Sequence, residues 1–208
     1  MTIAAVILAA GMATRMGSVK QLLPWGKSTI LGSTIDLYAK ANVDKIIVVV
    51  GYYAPEIMKV LHNKPVKWVV NKEFQSGMAS SLQAGIKALD KEDEVCLLGL
   101  GDTPLLRYKT INQIIEAHQF HQAQIVVPYF GEQSGHPILV TSQLFPELLK
   151  VRGDVGARFV IKAHNKSVFR LEVDDEGVII DLDTIESYQT YYNKYGGGFK
   201  FGNDYNCY

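Results

Sequence analysis

Two cationic side chains, Arg15 and Lys20, lie in a loop of mostly small residues that follows an unbroken apolar run at residues 3–9. Small residues let a ligand approach the backbone, whose N–H groups can donate to anions. Arg offers a planar fork of donors and Lys a mobile point charge, and both suit a polyphosphate. The loop therefore predicts a binding site for a nucleoside triphosphate. Ordinary solvated charges are the alternative, since neither G-x-x-x-x-G-K-[ST] nor G-x-G-x-x-G is present.

Carboxylates follow two other predicted strands. Asp102 comes directly after the apolar residues 94–100, and Pro104 sets the next bend. Mg²⁺ prefers one or two carboxylates together with phosphate oxygens, so Asp102 is a candidate ligand. Alternation places Asp181 and Asp183 on the same side of the chain, and either could supply a second carboxylate. The alternatives are a turn aspartate at 102 and a helix N-cap at Asp183 or Thr184.

A polar segment at residues 71–81 leads into a helix, and its hydroxyls and N–H groups could read the edge of a base. A serine-rich helix start is expected equally without a ligand. His136 lies in a short rigid turn before Pro137 and is either structural or directed at a substrate. No G-x-S-x-G elbow and no H-E-x-x-H motif occurs, so covalent catalysis by a side chain is not indicated.

Apolar runs of strand length alternate along the chain with stretches of helical periodicity. Strands are predicted at residues 3–9, 43–50, 66–70, 94–100, 124–128, 137–141, 167–173 and 177–180. Helices are predicted after a cap at Ser28 or Thr29, from Pro55, at residues 76–89 and 110–120, up to residue 149, and at 157–163 and 184–192. This order predicts a single-domain three-layer α/β/α sandwich around a mostly parallel mixed sheet. Such sheets bind ligands at the carboxyl ends of their strands.

The composition narrows the class of protein. Lys plus Arg equals Asp plus Glu at 21 each among 208 residues, which argues against a nucleic-acid partner. Two cysteines predict neither a metal site nor a disulfide framework. We expect no signal peptide, no membrane span and a cytoplasmic location. We also expect a domain over residues 1–193 and a mobile glycine-rich tail at 194–208.

The pattern L-A-A-G-x-x-x-R-M-G-x-x-K-x-L-L-P at residues 8–24 closely resembles the signature of nucleotidyltransferases with a glycosyltransferase-A-like fold. Within them it is most similar to the molybdenum cofactor cytidylyltransferase group. Further segments follow in that family's order at residues 77–82, 101–104, 135–137, 153–158 and 181–184. The resemblance covers residues 3–192, and it implies a nucleotide-diphospho-sugar transferase-like fold.

The resemblance also implies roles for individual residues. Nucleotide binding falls to Leu8, Ala9, Ala10, Gly11, Gly77 and Ser81, catalysis to Arg15, Lys20 and Asp102, Mg²⁺ binding to Asp102 and Asp183, and the acceptor side to His136 and Asp154. Guanylyltransferases tend to have glycine where this chain has Ala10, which favours CTP over GTP. Two positions depart from the family pattern, since Thr103 replaces a common glutamine and Ile185 a common proline.

The expected reaction is transfer of CMP from CTP to the phosphate of molybdopterin with release of pyrophosphate. A molybdoenzyme is the expected recipient of the product. One alternative is a related enzyme that uses GTP or a sugar or alcohol phosphate. A second is a non-catalytic chaperone that binds the molybdenum cofactor without consuming nucleotide. A third, a dinucleotide-binding oxidoreductase, is disfavoured by the glycine spacing and the two cations of the first loop.

Overall fold

The structure is a computed structural model that describes residues 1–12 and 19–196. Its strands are β1 (Thr2–Ala9), β2 (Pro24–Trp25), β3 (Ser28–Thr29), β4 (Lys45–Val50), β5 (Lys67–Val70), β6 (Asp93–Leu100), β7 (Ile125–Phe130), β8 (Gln133–Ser134), β9 (Ile138–Thr141) and β10 (Val168–Glu172). Its α-helices are α1 (Ile30–Ala39), α2 (Ala54–Val60), α3 (Met78–Lys87), α4 (Tyr108–His121), α5 (Phe145–Leu148), α6 (Arg158–Ala163) and α7 (Ile185–Tyr191). Most of the predicted tail lies outside the described residues.

Within the described residues, the main sheet has the strand order β10-β7-β9-β6-β1-β4-β5, and β8 pairs with β7. Strand β1 runs parallel to both β4 and β6, whereas β9 runs antiparallel to β6 and β7. Strands β2 and β3 form a separate antiparallel pair. The predicted single-domain α/β architecture with a mostly parallel mixed sheet is confirmed.

Strand β1 is central because both of its faces are covered. Ala5 and Ile7 belong to an apolar cluster that includes residues of α1, α2 and α4, and Val6 belongs to a second cluster with residues of α3, α5 and α6. The packing of α3 is close, since a Cβ on Gly85 would lie 2.3 Å from Cγ1 of Val6. An apolar run without alternation is the sequence that a strand buried on both faces requires.

The starts of α1 and α7 follow the predicted capping chemistry. The Thr29 side chain accepts a hydrogen bond from the Gly32 N–H at the start of α1. Thr184 and Ser187 form a reciprocal capping box at the start of α7. None of the described helices is long and apolar enough to span a bilayer.

The predicted strand at residues 177–180 is wrong. The structure has a 3₁₀ turn at Glu176–Val178, which begins where the Asp175 carboxylate accepts a 3.0 Å hydrogen bond from the Gly177 N–H. Gly177 also lies against the backbone of Leu105, where a Cβ would come within 2.2 Å of the carbonyl oxygen. The turn buries Gly177 and Val178, leaves Ile179 and Ile180 partly exposed, and does not join the sheet.

Candidate active site

A cleft of about 370 Å³ opens at the carboxyl ends of β1 and β6. It is lined by Leu8, Ala9, Ala10, Gly11, Lys20, Gln21, Phe74, Gly77, Met78, Ser81, Leu100, Gly101, Asp102, Asp154, Asp181 and Asp183. The structure therefore brings together every predicted site residue that it describes except His136. The predicted phosphate ligand Arg15 lies outside the described residues.

The most highly charged part of the cleft is a three-residue contact. Lys20 Nζ lies 2.6 Å from Asp102 Oδ2 and 2.7 Å from Asp183 Oδ1. Lys20 begins the 3₁₀ turn Lys20–Leu22, Asp102 follows β6, and Asp183 precedes α7. The Leu182 N–H donates a 3.1 Å hydrogen bond to the Asp102 carbonyl, which connects the two carboxylate-bearing segments. Three segments that are distant in sequence thus place one ammonium group between two carboxylates.

These charges influence the protonation of their neighbours. Burial by itself lowers the pKa of Lys20, but the attraction of Asp102 and hydrogen bonds to Asp102 and Asp183 raise it, and the net shift is upward. Lys20 is therefore positively charged at neutral pH. Desolvation, together with the negative charges of Asp183 and Asp102, raises the pKa of Asp181, and Lys20 acts in the opposite direction.

Asp102 retains binding capacity beyond its contact with Lys20. Its Oδ1 atom is buried and has no hydrogen-bond partner within the part of the chain that the structure describes. Leaving a buried carboxylate oxygen unpaired is costly, so a ligand with positive charge or a donor is expected there. The described residues contain no group of three or more His, Cys, Asp or Glu side chains arranged to hold a metal. Asp102 and Asp183 fit a hard divalent cation that completes its shell with substrate phosphate and water oxygens.

Gln21 is a cleft residue that sequence reasoning missed. Its side chain is 3% exposed, and Nε2 donates 3.1 Å hydrogen bonds to the carbonyls of both Ala9 and Gly11. The amide thereby stabilises the backbone conformation of residues 9–11, where the glycine-containing loop starts. No sequence signal indicates this role, because the two carbonyls are ordinary backbone and meet Gln21 only in the fold.

The predicted base-reading segment is linked to the predicted acceptor-side segment. The Met78 N–H donates to Asp154 Oδ1 at 3.2 Å, and the Ala79 N–H donates to the Gly153 carbonyl at 3.1 Å. Gly77 has φ +93° and lies so close that a Cβ would be 2.7 Å from the Gly153 carbonyl. Asp154 therefore binds the amino end of α3, for which Gly77 has no capping side chain.

The hydroxyl of Ser81 is positioned by a buried amide. Asn71 is 6% exposed, and its Nδ2 donates to the side-chain oxygens of Ser80 at 2.8 Å and Ser81 at 3.0 Å. Phe74 and Met78 add apolar surface to the same side of the cleft. The polar segment predicted at residues 71–81 thus forms one wall with both polar and apolar groups.

His136 lies outside the residues that line the cleft. Its backbone N–H donates to the Val178 carbonyl at 2.8 Å. Burial lowers the pKa of its imidazole, the negative charge of Asp102 raises it, and the charge of Arg158 lowers it, with a net downward shift. The neutral form is therefore favoured beside the cleft.

The sequence matches a known protein family and is similar to two proteins of known activity. The sequence profile of the MobA-like NTP transferase domain matches residues 5–168. The chain is 27% identical to the molybdenum cofactor cytidylyltransferase of Escherichia coli K12 over 191 residues, covering 91% of this chain and 95% of the relative. It is 29% identical to the nicotine blue oxidoreductase of Paenarthrobacter nicotinovorans, covering 87% of this chain and 92% of the relative.

Solved structures share both the fold and the extent of the chain. A homologue of Mycobacterium tuberculosis Rv0371c from Mycobacterium sp. strain JC1 has a TM-score of 0.83 and 30% identity, covering 92% of this chain and 96% of the other. Rv0371c of Mycobacterium tuberculosis H37Rv in complex with manganese has a TM-score of 0.80 and 28% identity, covering 91% of this chain and 97% of the other.

Proposed function

Because the chain belongs to the family of MobA-like NTP transferase domains, we propose that it transfers CMP from CTP to the phosphate of molybdopterin and releases pyrophosphate. The observation that carries the proposal is the contact of Lys20 with Asp102 and Asp183 inside a cleft that residues 8–11, at the end of β1, help to line. A cation and two carboxylates at one point suit a metal-bound polyphosphate. The likeness to a cytidylyltransferase over almost the whole chain supports CTP as the donor.

The reaction brings two anions together. An oxygen of the acceptor phosphate forms a bond to the α-phosphorus of CTP, and the bond from that phosphorus to the bridging oxygen of pyrophosphate breaks. The protein must therefore neutralise charge and align the groups in line. Lys20 and Arg15 offset the charge that develops on the departing pyrophosphate.

Asp102 and Asp183 are the residues that would hold Mg²⁺. Bound there, Mg²⁺ would supply electrophilic polarisation of phosphate oxygens and additional neutralisation of charge. The unpartnered Oδ1 of Asp102 and the shared contact of both carboxylates with one ammonium group support this assignment.

The nucleotide and the acceptor are assigned to adjoining parts of the cleft. Backbone N–H and C=O groups of the loop that Gln21 holds, together with the wall that contains Ser81, would bind ribose and cytosine. Asp154 would face the acceptor, with His136 behind the cleft as a neutral side chain. Ala10 at the position where guanylyltransferases tend to have glycine supports a pyrimidine over guanine.

A panel of the four nucleoside triphosphates with Mg²⁺, each with and without molybdopterin, tests the proposal through pyrophosphate release. We expect release with CTP only when molybdopterin is present, and a rate lower by at least about 10²-fold for Asp102→Asn under the same conditions. Preference for GTP, or release with a sugar or alcohol phosphate in place of molybdopterin, would replace the proposed substrates. Binding of molybdopterin without any nucleotide consumption would favour the chaperone alternative.

A second candidate is an oxidoreductase, because a relative of 29% identity is named nicotine blue oxidoreductase. Loss of NADH or NADPH absorbance in the presence of nicotine blue measures that activity directly. We expect no oxidation above the rate without protein. The contact of Lys20 with Asp102 and Asp183 supports a polyphosphate site and therefore favours the transferase over the oxidoreductase.

A further inference from the structure

We propose that Lys20 is a built-in cation that occupies the position of the divalent metal between Asp102 and Asp183 until the phosphates of the nucleotide draw it away. Metal and nucleotide would therefore bind in a coupled manner, and the nucleotide-free protein would bind the metal weakly. This inference rests on the proposed function, since the attracting anion is taken to be the triphosphate.

The geometry of the contact supports the substitution of one cation for another. A single ammonium nitrogen lies within 2.7 Å of an oxygen from each carboxylate, and the Lys20 side chain is only 13% exposed. Asp102 is also largely buried at 18% exposure, whereas Asp183 is more open at 48%. A divalent ion that bridges Asp102 and Asp183 needs the space in which the ammonium group lies.

The local charge requires some cation at this point. Asp181 lines the cleft together with Asp102 and Asp183, and three carboxylates around one site repel one another. Lys20 reduces this repulsion in the protein without ligand. Its flexible stem can carry the ammonium group towards a polyphosphate without a change in the backbone, because lysine is a mobile point charge.

The affinity of the site for metal and its affinity for triphosphate are linked thermodynamically. If the triphosphate attracts Lys20 and thereby frees the carboxylates, it raises their affinity for metal, and the metal raises the affinity for triphosphate by the same factor. Couplings between sites in proteins are typically about 5–150-fold. Without nucleotide, the protein would therefore bind the metal only weakly.

Titration of the nucleotide-free protein with Mn²⁺, followed by the electron paramagnetic resonance signal of free Mn²⁺, tests this inference. We expect Lys20→Gln to bind Mn²⁺ about tenfold more tightly than the wild type. Lys20→Ala is a second charge-free variant in case the first does not fold. Lys20→Arg keeps the charge and is expected to remain within about twofold of the wild type.

The chain offers a matched control. Within the described residues, Lys64 pairs with a single aspartate, with Nζ 2.6 Å from Asp36 Oδ1, and both residues lie outside the lining of the cleft. Lys64→Gln removes an ion-paired ammonium group but frees one carboxylate instead of two, so it should leave Mn²⁺ affinity unchanged. Thermal melting should show greater stabilisation by Mg²⁺ in Lys20→Gln than in either the wild type or Lys64→Gln.

The inference is overturned if the charge-free Lys20 variants bind Mn²⁺ no more tightly than the wild type, or if Lys64→Gln gives the same increase. The proposed function is tested separately, because the titration contains neither nucleotide nor acceptor. Tighter Mn²⁺ binding by the Lys20 variants without CTP-dependent transfer would refute the proposed function but support competition between Lys20 and the metal. CTP-dependent transfer with unchanged Mn²⁺ affinity would refute only this inference.

Discussion

At the level of single residues, Asp102 is the side chain on which both the ion pair and the proposed metal site depend. Asp102→Asn keeps the size of the side chain and removes its charge. We expect pyrophosphate release to fall by at least about 10²–10³-fold, as is typical when one preorganised electrostatic group is lost. Circular dichroism and thermal melting should show a folded protein.

The control for this variant is Asp90→Asn. Asp90 also pairs with a lysine, at 2.7 Å from Lys45 Nζ, but outside the residues that line the cleft. Its transfer rate should equal that of the wild type. An Asp102→Asn protein with a turnover within about twofold of the wild type would contradict the metal assignment.

Asp181 provides a test of charge crowding in the cleft. Its pKa is raised above the ordinary value of 3.8, so its ionised form is disfavoured in the folded state. Its contribution to stability is present below pH 3.8 and is lost as the pH rises through the folded pKa. Asp181→Asn should therefore unfold at a higher urea concentration than the wild type at pH 7, and the difference should shrink towards pH 4. A lower urea midpoint for Asp181→Asn than for the wild type at pH 7 would contradict the raised pKa of Asp181.

Residue types near strand ends were the most predictable part of the site. Lys20 and Asp102 could be selected because charged groups after buried strands meet at one edge of a sheet. Asp183 was selected from a predicted strand that does not form and from the family resemblance. The direct ion pairing of these three residues could not be predicted, since it depends on side-chain conformations and on the course of the segment before α7. Gln21 was not predictable, because its partners are carbonyls brought near by tertiary structure.

At the level of elements, the link between the start of α3 and the segment around Gly153 determines the shape of one cleft wall. Gly77→Ala should be destabilising for two reasons. Its φ of +93° is unfavourable for alanine, and the new Cβ would lie 2.7 Å from the Gly153 carbonyl. We expect a loss of about 2–4 kcal/mol in the free energy of unfolding, measured with urea, and a raised KM for CTP.

Gly131→Ala separates the two causes. Gly131 has φ +59°, but no described atom lies within 4 Å of the position that the alanine methyl group would take, so the substitution introduces only backbone strain. It should cost about 1–2 kcal/mol and leave the KM for CTP unchanged. Equal losses in both variants would show that the close approach to Gly153 is unimportant.

Element types were predictable where burial and periodicity agreed. The central strand and the capped helix α1 were confirmed for this reason, since an apolar run and a Thr cap each have a direct physical cause. The predicted strand at residues 177–180 failed because the Asp175 carboxylate and the contact of Gly177 with Leu105 decide the backbone there. Neither effect is visible in a window of four residues.

At the level of the whole molecule, the segment that carries Asp183 is attached to the rest of the fold through α7 and aromatic packing. Trp25 is 1% exposed and lies with ring centroids 6.5 Å from Tyr188 and 6.2 Å from Tyr192. The Tyr188 hydroxyl also donates to the Pro24 carbonyl at 2.9 Å. The strand pair β2–β3 therefore holds the helix that follows the second carboxylate.

Trp25→Ala should loosen this attachment. We expect the free energy of unfolding to fall by about 3–5 kcal/mol, as for other large-to-small changes at buried aromatic residues. Because Asp183 precedes α7, the transfer rate should fall even at temperatures where the variant is folded. The rate in the cold, compared with that of a Phe120→Ala control at an exposed site, measures this effect. If folded Trp25→Ala transferred at the wild-type rate, the packing of α7 against Trp25 would not be needed for transfer in the cleft.

The contact between Lys20 and Asp183 joins residues that are 163 positions apart. During translation, a chain that has not yet reached residue 183 can pair Lys20 with Asp102 but lacks the second carboxylate. A ribosome-bound fragment of that kind has an incomplete charge arrangement at the end of its central strands. The metal site proposed between Asp102 and Asp183 would thus be completed late in biosynthesis, when α7 packs against the strand pair β2–β3.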